Sequence, residues 1–352
     1  MRHIKAFRFI LIFIVSITLW GEENFKLIEK WDPGDEVVGR VGESIVDADG
    51  HVVCTFYKSG SRLITPNKII KFAPYGQGPG DLTDMRALFH FGGDIAIVER
   101  PEKIKIFTKK DSTYVWKKTV WLKRGKFVHV VQDAIYYKNK WFLAGLEFVD
   151  FDNKKNLQYA SFLKIYEKNG QPIENLIKKT FDGPHRFHEM NYYVAAYKDQ
   201  VLFLVENEMK VHVVGLKDLS IKKEVNLETP GFYKKKPDEF YSPKGKTGAG
   251  KNYLSVLEHW KTSYSRINKV IVEDSFLLLQ VRTCSEKLKR FALLFYNAGN
   301  FKLEKTIYTD DLLLGVKEGK YYFFAGGDPG RDEEAEDFII NVYSFGEKSE
   351  KK

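Results

Sequence analysis

The run HRFHE, residues 185–189, holds two imidazoles and a carboxylate in five residues. These are donor types that zinc takes. Helical zinc motifs space their histidines four apart, so that both leave one face. His185 and His188 are three apart, and Gly183-Pro184 opens the segment, which predicts a loop. A loop site completed by ligands from elsewhere stays open, although His51, His90, His129, His212 and His259 show no ligand spacing. DADG, residues 47–50, lacks the remaining oxygen positions of a calcium loop and reads as a hairpin turn. GGDPGRDEEAED, residues 326–337, reads as a solvated acidic loop. There is no G-x-S-x-G elbow; Cys54 falls inside an apolar run and Cys284 closes another. These positions give no catalytic residue, and neither a metal nor a cofactor is expected.

The elements that would position such residues are strands. Aromatic residues make up 15% of the chain, and Tyr, Phe, Val and Ile are abundant. A hydrophobic content of 43% excludes a disordered chain. Six times, an apolar run meets a polar turn and a second apolar run. These are ESIVDADGHVVCTF, MRALFHFGGDIAIVER, VVQDAIYYKNKWFLAGL, YYVAAYKDQVLFLVEN, INKVIVEDSFLLLQVRT and LLLGVKEGKYYFFAGG. Both faces of these strands are apolar, as for strands enclosed between neighbouring sheets. The first five are each followed by a more polar hairpin, in which Lys103, Ile104, Lys105 and Ile106 alternate with period two. The repeat is therefore a four-stranded antiparallel unit with a buried inner pair, and the fold class is an all-β, six-bladed β-propeller.

The sixth unit is incomplete. DFIINVYSF supplies its third strand, and the N-terminal NFKLIEKW, residues 24–31, is expected to supply the fourth and close the ring. The propeller then spans residues 22–346, with an insertion at 229–260, a second around EFVDFDNKKNLQY, and a charged tail at 347–352. Cys54 falls in the first unit and Cys284 in the fifth, which predicts no disulfide between them.

GQGPGDL, residues 76–82, joins the first unit to the second. It does not match a phosphate loop, no helix pattern follows it, and Pro79 removes an amide that such a cradle uses. It is expected to be a hinge, with Gly78 or Gly80 at positive φ, Pro79-Gly80 in a type II turn, and Leu82 docked between two blades. YGQGPGDL after a strand resembles the inter-blade loop of bacterial six-bladed β-propellers with NHL-like repeats, in which a G-x-G-x-G-P-G-[ED]-[FL] string recurs. DADGHVVCTF resembles their D-x-x-G-x-[IVL]-[YV]-V turn. The resemblance implies an exported propeller and carries over no catalytic residue.

Arg2, Lys5 and Arg8 before the apolar FILIFIVSITLW, residues 9–20, read as a secretory signal over residues 1–21. The expected location is periplasmic or secreted, with membrane attachment only if the signal stays uncleaved. Removing that segment lowers the formal charge from +9 to +6, too mild a surplus to imply nucleic acid.

In a propeller, the loops between second and third strands share a face with the inter-blade loops. Arg62, Arg100, Arg282 and Arg331 fall in the former, and His185, Arg186 and His188 in the latter, while the insertion adds Tyr241 and Trp260. Basic and aromatic groups on one face suit a carboxylate, a sugar or an acidic peptide. The sequence thus points to a monomeric binding or scaffolding module for a protein, peptide or carbohydrate. The alternative is a propeller lyase or hydrolase with a face-bound metal.

Overall fold

The computed structural model describes residues 25–34, 40–100, 103–123, 129–150, 158–182, 191–235, 263–327 and 338–345. The chain begins with β1 (Phe25–Trp31) and then builds blades in order. Blade I is β2 (Val41–Val46), β3 (Val52–Phe56), β4 (Gly60–Thr65) and β5 (Lys68–Ala73). Blade II is β6 (Met85–Phe91), β7 (Asp94–Glu99), β8 (Lys103–Lys110) and β9 (Thr113–Trp121). Blade III is β10 (His129–Tyr137), β11 (Lys140–Asp150), β12 (Gln158–Glu167) and β13 (Pro172–Asp182). Blade IV is β14 (Tyr192–Tyr197), β15 (Gln200–Val205), β16 (Lys210–Gly215) and β17 (Ile221–Asn226). Blade V is β18 (Ile267–Glu273), β19 (Phe276–Arg282), β20 (Phe291–Asn297) and β21 (Leu303–Thr309). Blade VI is β22 (Leu312–Lys317), β23 (Lys320–Phe324), β24 (Ile340–Phe345) and, at its outer edge, β1. All six sheets are four-stranded and antiparallel, so the protein is a six-bladed β-propeller closed by its N-terminal strand.

The apolar runs on both strand faces now have a reason. In β7, Ile95 and Ile97 pack toward blade I, whereas Ala96 and Val98 pack toward blade III. In β11, Trp141 and Leu143 face blade II, and Phe142 and Ala144 face blade IV. Successive side chains leave a strand on opposite sides, so a strand between two sheets must be apolar at every position. Each pair of neighbouring blades shares one hydrophobic cluster.

Closure is built the same way. Phe25 stacks on Tyr343 at 5.0 Å between ring centroids. Trp31, 3% exposed, packs its ring 5.4 Å from Tyr322 and joins the cluster between blades VI and I.

The loop 76–82 corrects one expectation. Neither Gly78 nor Gly80 has positive φ, so the turn at Pro79-Gly80 is not type II, although Asp81 N–H still donates to Gly78 O at 3.1 Å. The glycines clear space for a side chain instead. The Asp81 carboxylate folds back to accept Gly78 N–H at 2.8 Å, and a Cβ on Gly76 would collide with it. Left-handed backbone falls instead at Gly60 (φ +83), where a Cβ would also strike Ala73 O. Leu82 is fully buried between blades I and II, as expected. Cys54, buried in β3, and Cys284, just past β19, share no disulfide, and burial pushes the Cys54 thiol up.

Two measurements check this account by thermal and denaturant unfolding. Trp31→Ala costs about 3–5 kcal/mol through the closure cavity. Ile28→Ser, on the same strand but 49% exposed, stays within about 0.5 kcal/mol. In the second set, Leu82→Ala costs about 2–5 kcal/mol. Gly60→Ala costs at least the ~1–2 kcal/mol of a left-handed alanine, whereas Gly80→Ala changes stability by less than about 1 kcal/mol. A Gly80→Ala loss larger than that of Gly60→Ala would reject the account of the loop.

Candidate ligand site on the ring axis

The innermost strands β2, β6, β10, β14, β18 and β22 surround the axis and together line one cavity of about 340 Å³. On five of them the pairing to the next strand slips by one residue near the start. The slips lie between Val41 and Ser44, Met85 and Ala87, Val131 and Asp133, Ile267 and Lys269, and Leu313 and Gly315. β14 pairs without a slip. Such a β-bulge adds one residue to one strand and re-aims the side chains beside it.

Three of these bulges bring a charged residue to the cavity, whereas Arg86, in the bulge of β6, pairs with Asp84 instead. Glu43 on blade I, Asp133 on blade III and Lys269 on blade V all line the cavity. They come from alternate blades and so lie around the axis rather than side by side. Two residues further along each strand stand Ile45, Ile135 and Ile271, which line the same cavity. Residues i and i+2 share a strand face about 6–7 Å apart. The wall is therefore a charged ring beneath an isoleucine collar.

Hydrogen bonds fix this ring. Asp133 Oδ1 accepts Ala134 N–H and its Oδ2 accepts Val194 N–H of blade IV, both at 2.8 Å. Lys269 Nζ donates to Ser44 O and lies 3.9 Å from Glu43 Oε2, so the ammonium leans toward blade I. Tyr193 donates its hydroxyl proton to Ile267 O at 2.6 Å. The Nδ2 of Asn268, beside Lys269, is buried without a hydrogen-bond partner.

Charge is unbalanced here. Burial, and then the nearby Glu43 carboxylate, push Asp133 up to about 7 despite its two amide donors. Burial also raises Glu43, with Lys269 pulling the other way. The Glu43 side chain is 44% exposed, but into the axial cavity, where protein atoms on every side limit its hydration. At the far end, burial holds His90 below the usual imidazole range. The ring thus sets two carboxyls against one ammonium, and Glu273, four residues beyond Lys269 on β18, lines the same cavity.

Three of the four arginines expected on the connecting face, Arg62, Arg100 and Arg282, are among the described residues. Arg62, 4% exposed, donates to Ser59 O at 2.6 Å and Ser59 Oγ at 2.9 Å, with its guanidinium over Phe56. Arg282, 9% exposed, lies over Phe291 on its own blade. Arg100 stands 4.0 Å from Asp84, a carboxylate that Arg86 holds at 2.8 Å. His185, Arg186, His188, Tyr241, Trp260 and Arg331 lie outside the described residues.

On the opposite face, donor atoms of Asp47, Asp49 and His51 come together. The Lys109 ammonium already sits there, 2.7 Å from Asp47 Oδ2 and bonded to Asp49 as well. Asp47 Oδ1 also accepts the N–H of Asp49 and of His51, each at 2.9 Å. This is the hairpin turn read from DADG, tied to blade II by a lysine.

Sequence reasoning missed Glu43, Asp133 and Lys269. The signal was available: ES, QD and NK interrupt otherwise apolar first strands at matching points of the first, third and fifth units.

No family model matches the chain, and no curated protein matches it. Solved structures do. A Bacteroides fragilis protein named as an exported one superimposes with a TM-score of 0.55 at 12% identity, over 92% of this chain and 96% of its own. A protein of unknown function from Dyadobacter fermentans gives a TM-score of 0.51 at 9% identity, over 92% of this chain and 100% of its own. At these identities the likeness is one of fold.

Proposed function

We propose that this chain is an exported, monomeric binding module that takes a small ligand, or the tip of a peptide or glycan, into the axial cavity. The observation that carries the reading is the charged ring. Glu43, Asp133 and Lys269 are brought to one enclosed space from three separate blades by three separate bulges. The apolar clusters between blades carry the packing of the ring, and to it Asp133 adds one bond to Val194 and Lys269 one to Ser44. Buried ionisable groups oppose folding unless they are fully paired. Neutral side chains such as Gln280 make comparable ties elsewhere in the ring, so charge at these positions exceeds what the ties require and marks a functional position. The cavity volume also falls within the range of about 300–1,000 Å³ typical of small-ligand sites.

Export rests on the N-terminal pattern of Arg2, Lys5 and Arg8 before an apolar run. Kinship with NHL-like propellers of bacteria rests on YGQGPGDL. The arginines of the connecting face remain as a rim for a larger ligand, with Arg100 the most open of those described.

The test is a thermal-shift screen of peptides, amino sugars and oligosaccharides against the full chain and Ile271→Trp, which plugs the collar. At least one ligand class is expected to raise the unfolding midpoint of the wild type and not of the plugged variant. A silent panel, or a shift that survives the plug, overturns the reading.

The unpaired charge gives a pH prediction. Asp133 and Glu43 both hold protons more tightly in the folded chain than at the ordinary carboxylate value. The folded state therefore binds more protons than the unfolded state from about pH 4 up to Asp133's value of about 7. Their contribution to stability is present in acid and is lost as pH rises through that window. Glu43→Gln removes one of the two carboxylates and the repulsion on the other. Its midpoint is expected to exceed that of the wild type at pH 8, with the difference shrinking toward zero near pH 4. A variant less stable than wild type at pH 8 would mean that the Glu43–Lys269 pair is a net structural tie.

A further inference from the structure

We propose that the ligand of the axial cavity is an alkylammonium-type cation, its charged nitrogen held between Glu43 and Asp133 and its apolar body passing the collar of Ile45, Ile135 and Ile271. This rests on the reading of the cavity as a binding site and names the chemistry it selects.

The geometry sets the polarity of the site. Lys269 leans onto the carbonyl and hydroxyl of Ser44 and neutralises the blade I side of the ring. Among the described residues Asp133 has no ion pair, only two backbone amides. With both carboxyls of the ring ionised, one unit of negative charge is left over at the ring, and Glu273 adds a further carboxyl to the cavity wall. A cation that enters supplies what the ring lacks, whereas an anion would meet two carboxylates for one ammonium. The wall above the ring is apolar, so a hydrated metal ion gains nothing from it, and an alkyl chain does. Primary ammonium presents three donors to acceptors on different sides, which suits carboxyls that approach from alternate blades.

Binding must then be linked to protons. The groups that face Asp133 are Glu43 on β2, Lys269 on β18 and the Tyr193 hydroxyl on β14. His90 on β6, Tyr136 on β10 and Glu273 on β18 line the same cavity, and β22 contributes Gly315 and Val316, which do not titrate. Asp133 titrates near neutrality, and a cation binds its ionised form. Affinity therefore rises with pH through that range, and protons leave as the ligand enters.

Isothermal titration calorimetry of the full chain with n-hexylamine, hexanoate and n-hexanol tests this at pH 6 and pH 8. Hexylamine is expected to bind tightest of the three and to gain roughly tenfold in affinity from pH 6 to pH 8, the loss that one unit below a controlling pKa imposes. Titrations in buffers of different ionisation enthalpy are expected to show proton release. Glu43→Gln and Asp133→Asn are each expected to weaken hexylamine by about tenfold or more, the scale of a charge-assisted hydrogen bond. Glu43→Gln is the safer variant, because Asp133→Asn replaces one of two amide acceptors. Should hexanoate bind tighter, or affinity fall with pH, the cavity binds through Lys269 and a protonated Asp133, and the amine assignment is wrong. Equal binding of hexanol and hexylamine would mean that the collar acts alone and also overturns it. Silence from all three probes overturns the amine assignment, and the reading of the cavity as a binding site falls with it only if the thermal-shift panel is silent as well.

Discussion

Every inner strand of this ring is enclosed by sheets on both sides, and that enclosure governs the rest of the structure. A strand buried on one face can alternate apolar and polar residues; one buried on both cannot. β3 shows the consequence: Val52, Cys54 and Phe56 pack toward blade VI, and Val53 packs toward blade I's other neighbour, blade II. Because each hydrophobic cluster lies between two blades, no blade has a core of its own. Stability is shared around the circle, and the circle must close. β1 provides that closure, carrying Trp31 into the cluster between blades VI and I. A ring closed by its own N-terminal strand joins its first strand to its last, and Trp31 is the residue by which that strand enters the core.

The same enclosure confines polar groups inside the ring to paired ones, such as Glu99 with Lys105, and to those at the axis. Regular alternation would still turn half of each first strand toward a neighbouring blade. The bulges on β2, β10 and β18 break that alternation at the level where Glu43, Asp133 and Lys269 occur. Where no charge is presented, the bulge serves packing: on β22 it precedes Gly315, whose missing Cβ lets Val46 of blade I approach. One device therefore does two jobs, and the residue beside it decides which.

The sequence showed what depends on period and on composition. Six doubly apolar hairpins, their polar partners and the incomplete sixth unit were enough for the fold and its closure, because burial on both faces leaves no polar position to blur the pattern. The loop 76–82 was legible in place but not in detail. Glycine permits a left-handed backbone and also permits close approach, and the letters do not distinguish them; the Asp81 carboxylate occupying the loop does. The axial site was less legible still. A single extra residue on one strand reverses the inward and outward parity of all that follow, and a bulge has no signature of its own in one sequence. The arginines drew attention because their loops share one face of a propeller. Arg62 and Arg282 are instead laid over Phe56 and Phe291.

Asp133 joins these two levels. Its carboxylate receives Val194 N–H from blade IV, so it is a tie between blades as well as a wall of the cavity. Comparable ties recur around the ring. Gln280 bonds the backbone of Asp311 and Leu313 on blade VI, Glu206 accepts Ile267 N–H of blade V, and Ser44 donates to Leu314 O. Gln280 and Ser44 are neutral at neutral pH and hold their blades without electrostatic conflict. Asp133 makes its tie beside Glu43, whose carboxylate opposes ionisation of its own. A neutral amide could not replace it without turning a donor toward a donor, and a protonated acid holds the amides less strongly than a carboxylate does. The tie between blades III and IV is therefore strongest when Asp133 is ionised, and ionisation is favoured when a cation stands in the cavity. Occupancy of the axis and the grip between two blades are, on these grounds, two readings of one carboxylate.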